Sequence, residues 1–430
     1  MTTNSYTFKP LNVGRWVVWG GFALLLAVMP MIFRSGLSMT VLSQMGIAII
    51  ACLSYNMLLG QGGMLSFGHA VYTGLGSFVA IHVLNSVTKG ALPLPVALVP
   101  FAGGLAGIFF AALFGYVTTR KSGTTFAMIT LGLGELVFAL ALMIPEFFGG
   151  EGGVSGNRMI KNGFMGITFG PQIQVYYLIA IYTFVSVAAM FAFTRTPLGR
   201  MLNAVRDNPE RVEFVGYDTQ KVRYLAFIIA GFFAGISGGL GALNFEIVTG
   251  EVVGAGRSGA YLLFTFLGGA TFFFGPIIGA ILMVLAFVIF GELTQAWLLY
   301  LGLIFLLTVM YAPGGVASLI MMNLRVAAFG RLRELWVSYL ALAVTALVVL
   351  VGAGAMIEMI YHMQLSAASG SELKFLGVTL DTKGLNSWFG AAFVLATGVG
   401  TFEIVRRQFV HHWGEIQEFI EKEIKRREAM

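Results

Sequence analysis

The sequence predicts an all-α, polytopic integral membrane protein: a helical bundle of about ten spans followed by a two-span C-terminal extension. Three observations carry this prediction. The 430 residues are 57% hydrophobic and only 11% charged, whereas soluble domains carry about 25% charged residues. Mean hydropathy is +0.85. The apolar residues fall into runs close to the ~20 residues a helix needs to cross a bilayer. Nearly all the mass is taken up by spans and short loops, so no separate soluble domain of any size fits.

Taken in order, the runs place spans at about 15–33, 41–59, 65–84, 94–117, 124–144, 173–194, 224–243, 258–274, 276–292, 296–312, 335–360 and 386–405. The segment before them, 1–14, is polar. The first run reaches Met29-Pro30 without a small-x-small cleavage pattern, so it reads as an uncleaved span. Spans 65–84 and 258–274 are rich in Gly and small residues and read as broken or partly re-entrant. With twelve spans and both termini cytoplasmic, 19 basic residues fall on the cytoplasmic side and seven outside. Treating 65–84 as a re-entrant loop would put the basic 195–223 loop outside, against the positive-inside bias. The net charge of +6 therefore reads as orientation and contact with anionic lipid rather than with nucleic acid. Cys52 is the single cysteine, so no intrachain disulfide forms.

Among the outer segments, 145–172 is Gly-rich and reads as turns, and 361–386 has the glycines of a small hairpin. Glu246, Glu251 and Arg257 read as outer surface charges. After 313, APGG breaks the helix and an amphipathic basic stretch leads into the last two spans, 321–405. In the charged tail, 406–430, Phe409, Trp413, Ile416, Ile420 and Ile424 share one helical face. That face suits either an interfacial anchor or a docking helix.

The longest polar interval, 195–223, contains a short helix with both ends written in sequence. Asn208 is a natural N-cap, Pro209 suits the first helical position and Glu210 lies at the positive end of the dipole. Gly216 suits the left-handed stop. PERVEFV between them makes about two turns, a knob shaped for docking.

Enzyme motifs are lacking. There is no G-x-x-x-x-G-K-[ST], no H-E-x-x-H and no Cys/His cluster, so neither a nucleotide loop, a cofactor nor a metal site is expected. What remains are polar groups at membrane depth. In GQGGMLSFGHA (60–70) the glycines make continuous helix unfavourable. Broken backbone at depth is tolerated inside protein or beside a water-filled path, so Gln61, Ser66 and His69 are candidates for lining a solute path; the alternative is a packed, self-satisfied turn. Glu135 lies ~16 Å into its span. At that depth a carboxylate must be neutralised, paired or beside water, which leaves either a structural hydrogen bond or a role in the path.

Six blocks carry a resemblance: SYNMLLGQGGMLSFGHAVYTGLGSF (54–78), GTTFAMITLGLGEL (123–136), GGEGGVSG (149–156), LGRMLNAVRDNPERVEFVGYDTQKVRYLAFIIAGFFAGISGGL (198–240), LGGATFFFGPIIGAIL (267–282) and APGGVASL (312–319). In this order, over about 40–320, the chain resembles the LivM-type permease subunits of branched-chain (hydrophobic) amino acid ABC importers. The resemblance implies a permease domain over 15–320 in a bacterial inner membrane. It also implies a second homologous permease subunit, two cytoplasmic ATPases that hydrolyse ATP, and an extracytoplasmic solute-binding protein. Carried onto this chain, the coupling helix is 208–216, with Arg206 and Asp207 leading in and Asn208, Pro209, Glu210, Glu213 and Gly216 within it. The competing reading is a self-sufficient secondary transporter or channel that uses Glu135 as a proton or ion site.

Overall fold

The computed structural model describes residues 13–159, 168–365 and 370–428. All but the last two residues of the expected cytoplasmic N-terminus, 1–14, lie outside them. The chain divides into two compact units. The first runs to Leu285 and takes in Pro313–Ala317; the second holds Ala286–Ala312 and the chain from Ser318 onward.

The first unit contains α1 (Val13–Ile32), α2 (Gly36–Gly62), α3 (Ala70–Thr88), α4 (Val99–Thr118) and α5 (Gly123–Met143), then the single turn α6 (Pro145–Phe148). It continues with α7 (Gln172–Arg195), α8 (Pro197–Asp207), α9 (Pro209–Phe214), α10 (Thr219–Phe245), α11 (Ala255–Gly268) and the start of α12 (Gly275–Leu293). α10 is the central helix and packs on α4, α3 and α2. Lipid gives helices no hydrophobic drive to associate, so close backbone approach supplies the contact energy. A side chain at Gly235 would strike the carbonyl of Gly103, and one at Gly238 the carbonyl of Thr73.

Nine helices among the described residues are long and apolar enough to cross a membrane, or ten if the bent pair Trp297–Tyr311 and Gly315–Ala328 counts as one. Each of the twelve expected spans has its helix, with two corrections of length: the expected span 296–312 is a 15-residue helix that reaches spanning length only together with Gly315–Ala328 across a 48° bend, and the expected span 258–274 is shorter still. α11 has only 14 residues, ~21 Å at 1.5 Å per residue, short of the ~30 Å hydrocarbon core. The expected span 258–274 is thus a half-span, stopped at Gly269 in a conformation with φ +112°.

The break expected near 60–70 is a climbing segment. Gly63 turns left-handed (φ +63°) and its N–H closes on the Leu59 carbonyl at 3.0 Å. The chain then runs back beside α2, because His69 Nε2 lies 2.8 Å from Ser54 Oγ, eight residues or ~12 Å from the end of α2. Two long-range bonds hold it there. The Phe67 N–H donates to Thr130 Oγ1 on α5 at 3.1 Å, and the Ala70 N–H donates to Ser258 Oγ on α11 at 3.0 Å. α3 therefore starts inside the bundle.

The segment after α10 also folds inward. β2 (Ile247–Val248) pairs antiparallel with β1 (Val154–Ser155), and a 3-10 turn, Gly250–Val253, buries Val253 against Gly74 of α3. Glu251 stays exposed. Arg257 does not: it is half-buried among α2, α3 and α10, which corrects its reading as an outer surface charge. Arg158 clamps the same end of the bundle. Its guanidinium donates to the carbonyls of Phe169, Leu243 and Asn244 at 2.9 Å and to Gln172 Oε1 at 3.0 Å.

The second unit contains α13 (Trp297–Tyr311), α14 (Gly315–Ala328, from Ser318), α15 (Leu332–Leu365) and α16 (Leu385–Glu428), with the hairpin β3 (Glu372–Phe375) and β4 (Val378–Asp381) between the last two. The tail is the end of one 44-residue helix. Its apolar face is not free for lipid or a partner. Ile416 and Ile420 pack with Val326 and Leu335, flanked by Phe329, Tyr339, Phe409, Trp413 and Ile424. A carboxylate that hydropathy reading passes over, Glu358, accepts hydrogen bonds from Thr294 Oγ1 and from Tyr300 OH, the latter at 3.2 Å.

Candidate coupling site and polar interior

The interval 195–223 forms two helices, one more than its sequence suggested. Thr196 caps α8 by accepting from the Gly199 N–H at 3.2 Å, and Pro197 opens it. α8 is amphipathic and buries Gly199, Leu202 and Val205. Asn208 then caps α9, its Oδ1 accepting from the Arg211 N–H at 3.1 Å, with Pro209 at the first position. Gly216 takes φ +93°, and its N–H closes on the Glu213 carbonyl at 2.8 Å. Val212 anchors the knob at 5% exposure.

The acidic residues of the knob differ in role. Glu210 is exposed in the first turn. Glu213 is tied inward, its Oε1 accepting from Thr219 Oγ1 at 2.8 Å. Asp207 pairs with Arg206 at 2.9 Å. Asp218 caps α10 through the backbone N–H groups of Lys221 and Gln220, and those bonds, the Lys221 one foremost, hold its carboxyl below its ordinary range. The tip is apolar: Phe214 is 90% exposed and Val215 74%. Sequence reasoning missed these two residues, although two apolar side chains ending a six-residue helix in a polar loop were visible.

α8 ties the knob to the bundle interior. The Arg206 guanidinium donates to the Gly60 carbonyl at the end of α2. Asn203 Nδ2 donates to Gln61 Oε1 at 2.8 Å. Gln61 therefore sits at the knob end of the bundle, bonded to α8, and not with the other interior candidates. Ser66 and His69 do lie together in the interior, both fully buried. Ser66 Oγ, His69 Nδ1 and Tyr72 OH are buried with no hydrogen-bond partner among the described residues. The His69 ring meets Tyr55 edge-on at 5.2 Å and Tyr261 at 6.4 Å. Glu135 is apart from all of these, on the exposed face of α5 beside Leu136.

Many apolar spans, a helix broken inside the bundle and a polar interior linked to a capped knob define a multi-pass membrane permease. The chain belongs to the family described as branched-chain amino acid transport system / permease component, which matches residues 37–313. It is similar to the high-affinity branched-chain amino acid transport system permease protein LivM of Escherichia coli (strain K12), 27% identical over 291 residues, 63% of this chain and 67% of that one. LivM of Salmonella typhimurium is 27% identical over 293 residues, with the same coverage. The probable branched-chain amino acid transport permease protein LivH of Methanocaldococcus jannaschii is 26% identical over 202 residues, covering 44% of this chain and 60% of its own. No solved structure matches the chain significantly.

Proposed function

We propose that this chain is one permease subunit of an ATP-driven importer in a bacterial inner membrane, carrying branched-chain or related hydrophobic amino acids, or a related small polar solute. In this reading a solute-binding protein delivers the solute at the β1–β2 end. A second homologous permease completes the path, and two cytoplasmic ATPases dock on the 208–216 helix. Residues 15–320 are the permease domain; 321–405 and the tail 406–430 are an addition to it.

The observation that carries the reading is the pair of bonds from α8 to α2, Asn203 to Gln61 and Arg206 to Gly60. A push on α9 moves α8. α8 is bonded to the last turn of α2, directly before the Gly63 bend. The bend leads to the 64–69 segment that carries Ser66 and His69. Movement of the knob is thus delivered to the interior through hydrogen bonds rather than through loose loop. Glu135, on the exposed face of α5, is offered to the second permease, where it borders the shared path.

Replacing Asn203 and Arg206 together with Ala tests this. The ATPases are expected to dock and hydrolyse ATP at near wild-type rates, while uptake per ATP falls at least 10-fold. Unchanged coupling in that variant removes the α8 link. A purified chain that moves solute down an ion gradient without ATP removes the importer reading. It would favour a secondary transporter, for which Glu135→Gln should abolish flux.

A further inference from the structure

α11 begins inside the bundle, and its first turn carries Arg257. The side chain lines a cleft with Ile47 of α2, Thr73 and Ser77 of α3, and Ser237 of α10. Ser237 lies eight residues before the end of α10, Ile47 lies 11 after the start of α2 and Thr73 lies 15 before the end of α3. At 1.5 Å per residue these are ~12, ~16 and ~22 Å below the β1–β2 end, around the middle of a ~30 Å hydrocarbon core. An ionisable residue at that depth is costly, and such residues mark substrate and ion pathways. Arg257 sits over the Tyr261 ring at 5.9 Å and forms no ion pair among the described residues, unlike Arg158 and Arg206.

Three hydroxyls that line the same cleft have complementary chemistry. Thr73 Oγ1 donates to the Ala70 carbonyl at 3.0 Å, Ser77 Oγ to the Thr73 and Gly238 carbonyls at 2.9 and 3.0 Å, and Ser237 Oγ to the Ile47 carbonyl at 2.9 Å. A hydroxyl has one hydrogen and two lone pairs. All three hydrogens are already committed to backbone, so these groups face the cleft as acceptors. Arg257 can donate charge-assisted hydrogen bonds into the cleft and the three hydroxyls can accept them, with Phe245 and Val252 among its apolar lining. The cleft has about 50 Å³ of free space, enough for a water-sized group. The positive end of the α11 dipole lies on the Arg257 side.

We propose that this cleft is a transit subsite for the zwitterionic head of an α-amino acid, with Arg257 receiving the carboxylate and the hydroxyls of Thr73, Ser77 and Ser237 receiving the ammonium. The proposal rests on the importer reading and specifies where the solute is held. An anionic lipid head offers the arginine the same negative charge, so phosphatidylglycerol is one arm of the test.

The test is equilibrium binding of radiolabelled L-leucine to the full chain in phosphatidylcholine nanodiscs. Competitors are unlabelled leucine, leucinamide (no carboxylate) and 4-methylpentanoate (no ammonium). Leucine is expected to compete at least 10-fold better than either analogue. Arg257→Gln should weaken leucine at least 10-fold and abolish its advantage over leucinamide, and Arg257→Lys should restore part of both. Three results overturn the subsite: leucine binding by the Gln variant equal to wild type, equal competition by leucine and leucinamide on wild type, or no leucine binding to wild type. A fourth is an Arg257-dependent retention of phosphatidylglycerol that leaves leucine binding unchanged. Uptake by the assembled importer separates the two levels. Uptake by an importer carrying Arg257→Gln at the wild-type rate removes the subsite alone, whereas a wild-type importer that moves no amino acid removes the importer reading itself. Thermal unfolding of the Gln and Lys variants in the same nanodiscs checks that both are folded.

Discussion

If ATPases dock on the 208–216 helix as proposed, removing the tip of the knob, Phe214→Ala, should cost that contact more than any other single substitution in 208–216. The phenyl group is 90% exposed in the chain alone. Phe buries about 150–250 Å² when covered, so roughly 180 Å² remains for a partner, about 4.5 kcal/mol at 25 cal/mol per Å². Ordering the side chain and docking it reduce the net value, and a central aromatic contact typically retains about 2–3 kcal/mol. That is roughly 30- to 150-fold in Kd. The assay is biolayer interferometry of a partner ATPase on the chain in nanodiscs, paired with uptake. Asn208→Ala is the internal standard. It removes only the cap on the Arg211 N–H, about 1 kcal/mol of helix stability, or roughly fivefold. Both positions lie outside the spans, so membrane insertion should be unchanged. An ATPase that binds Phe214→Ala within twofold of wild type refutes the apolar-tip contact. Asn208→Ala costing more than Phe214→Ala would shift the contact from side chain to helix backbone.

Other expectations follow from packing and capping. Gly238→Ala drives a methyl into the Thr73 carbonyl, whereas Gly241→Ala on the same helix meets nothing within 4 Å. The first should lose about 1–3 kcal/mol or more and the second should change by no more than about 1 kcal/mol, in the stabilising direction; equal thermal shifts in detergent would contradict the α3–α10 contact. Arg158→Ala removes four charge-assisted bonds and should cost roughly 3 kcal/mol, seen as a lower unfolding temperature and faster proteolysis of 149–159. Arg158→Lys should rescue little, because one ammonium cannot reproduce the planar fork. For Asp218 the sign is fixed by its depressed carboxyl. Its cap is fully present above the ordinary carboxylate range and is lost as pH falls through the lowered value. Protection of the Gln220 and Lys221 amides, their exchange relative to the intrinsic rate, should therefore hold through neutral pH and fall as pH drops through the lowered value; Asp218→Asn, itself a good cap, should flatten that acid dependence.

What could be read from sequence, and what could not, divides along locality. The ends of α9 were legible because a cap is a contact within three residues: Asn208 reaches the Arg211 N–H, and Gly216 supplies a conformation other residues resist. The break after α2 was legible for the same reason at Gly63. Where the broken strand goes was not, because the bonds that carry it back into the bundle come from Thr130 and Ser258, 63 and 188 residues away. Arg257 shows the limit most clearly. A charge in a Gly-rich stretch after a span has the composition of a surface loop, and hydropathy alone reads it so. Two local signals nevertheless pointed inward. The apolar run 258–274 was too interrupted to start at a membrane surface and still cross. Gly74 leaves a gap on α3 into which Val253 inserts, and Gly238 and Gly241 of α10 line the cleft that Arg257 lines. Small residues in spans are mostly packing features, so on their own they carried no weight; joined to a span too short to cross, they mark the place where a loop turns inward. The same combination applies to α13 and α14, where a 15-residue helix and a 14-residue helix meet at a 48° bend over APGG. There the chain places no charge in the break, so this second bend has no counterpart to Arg257.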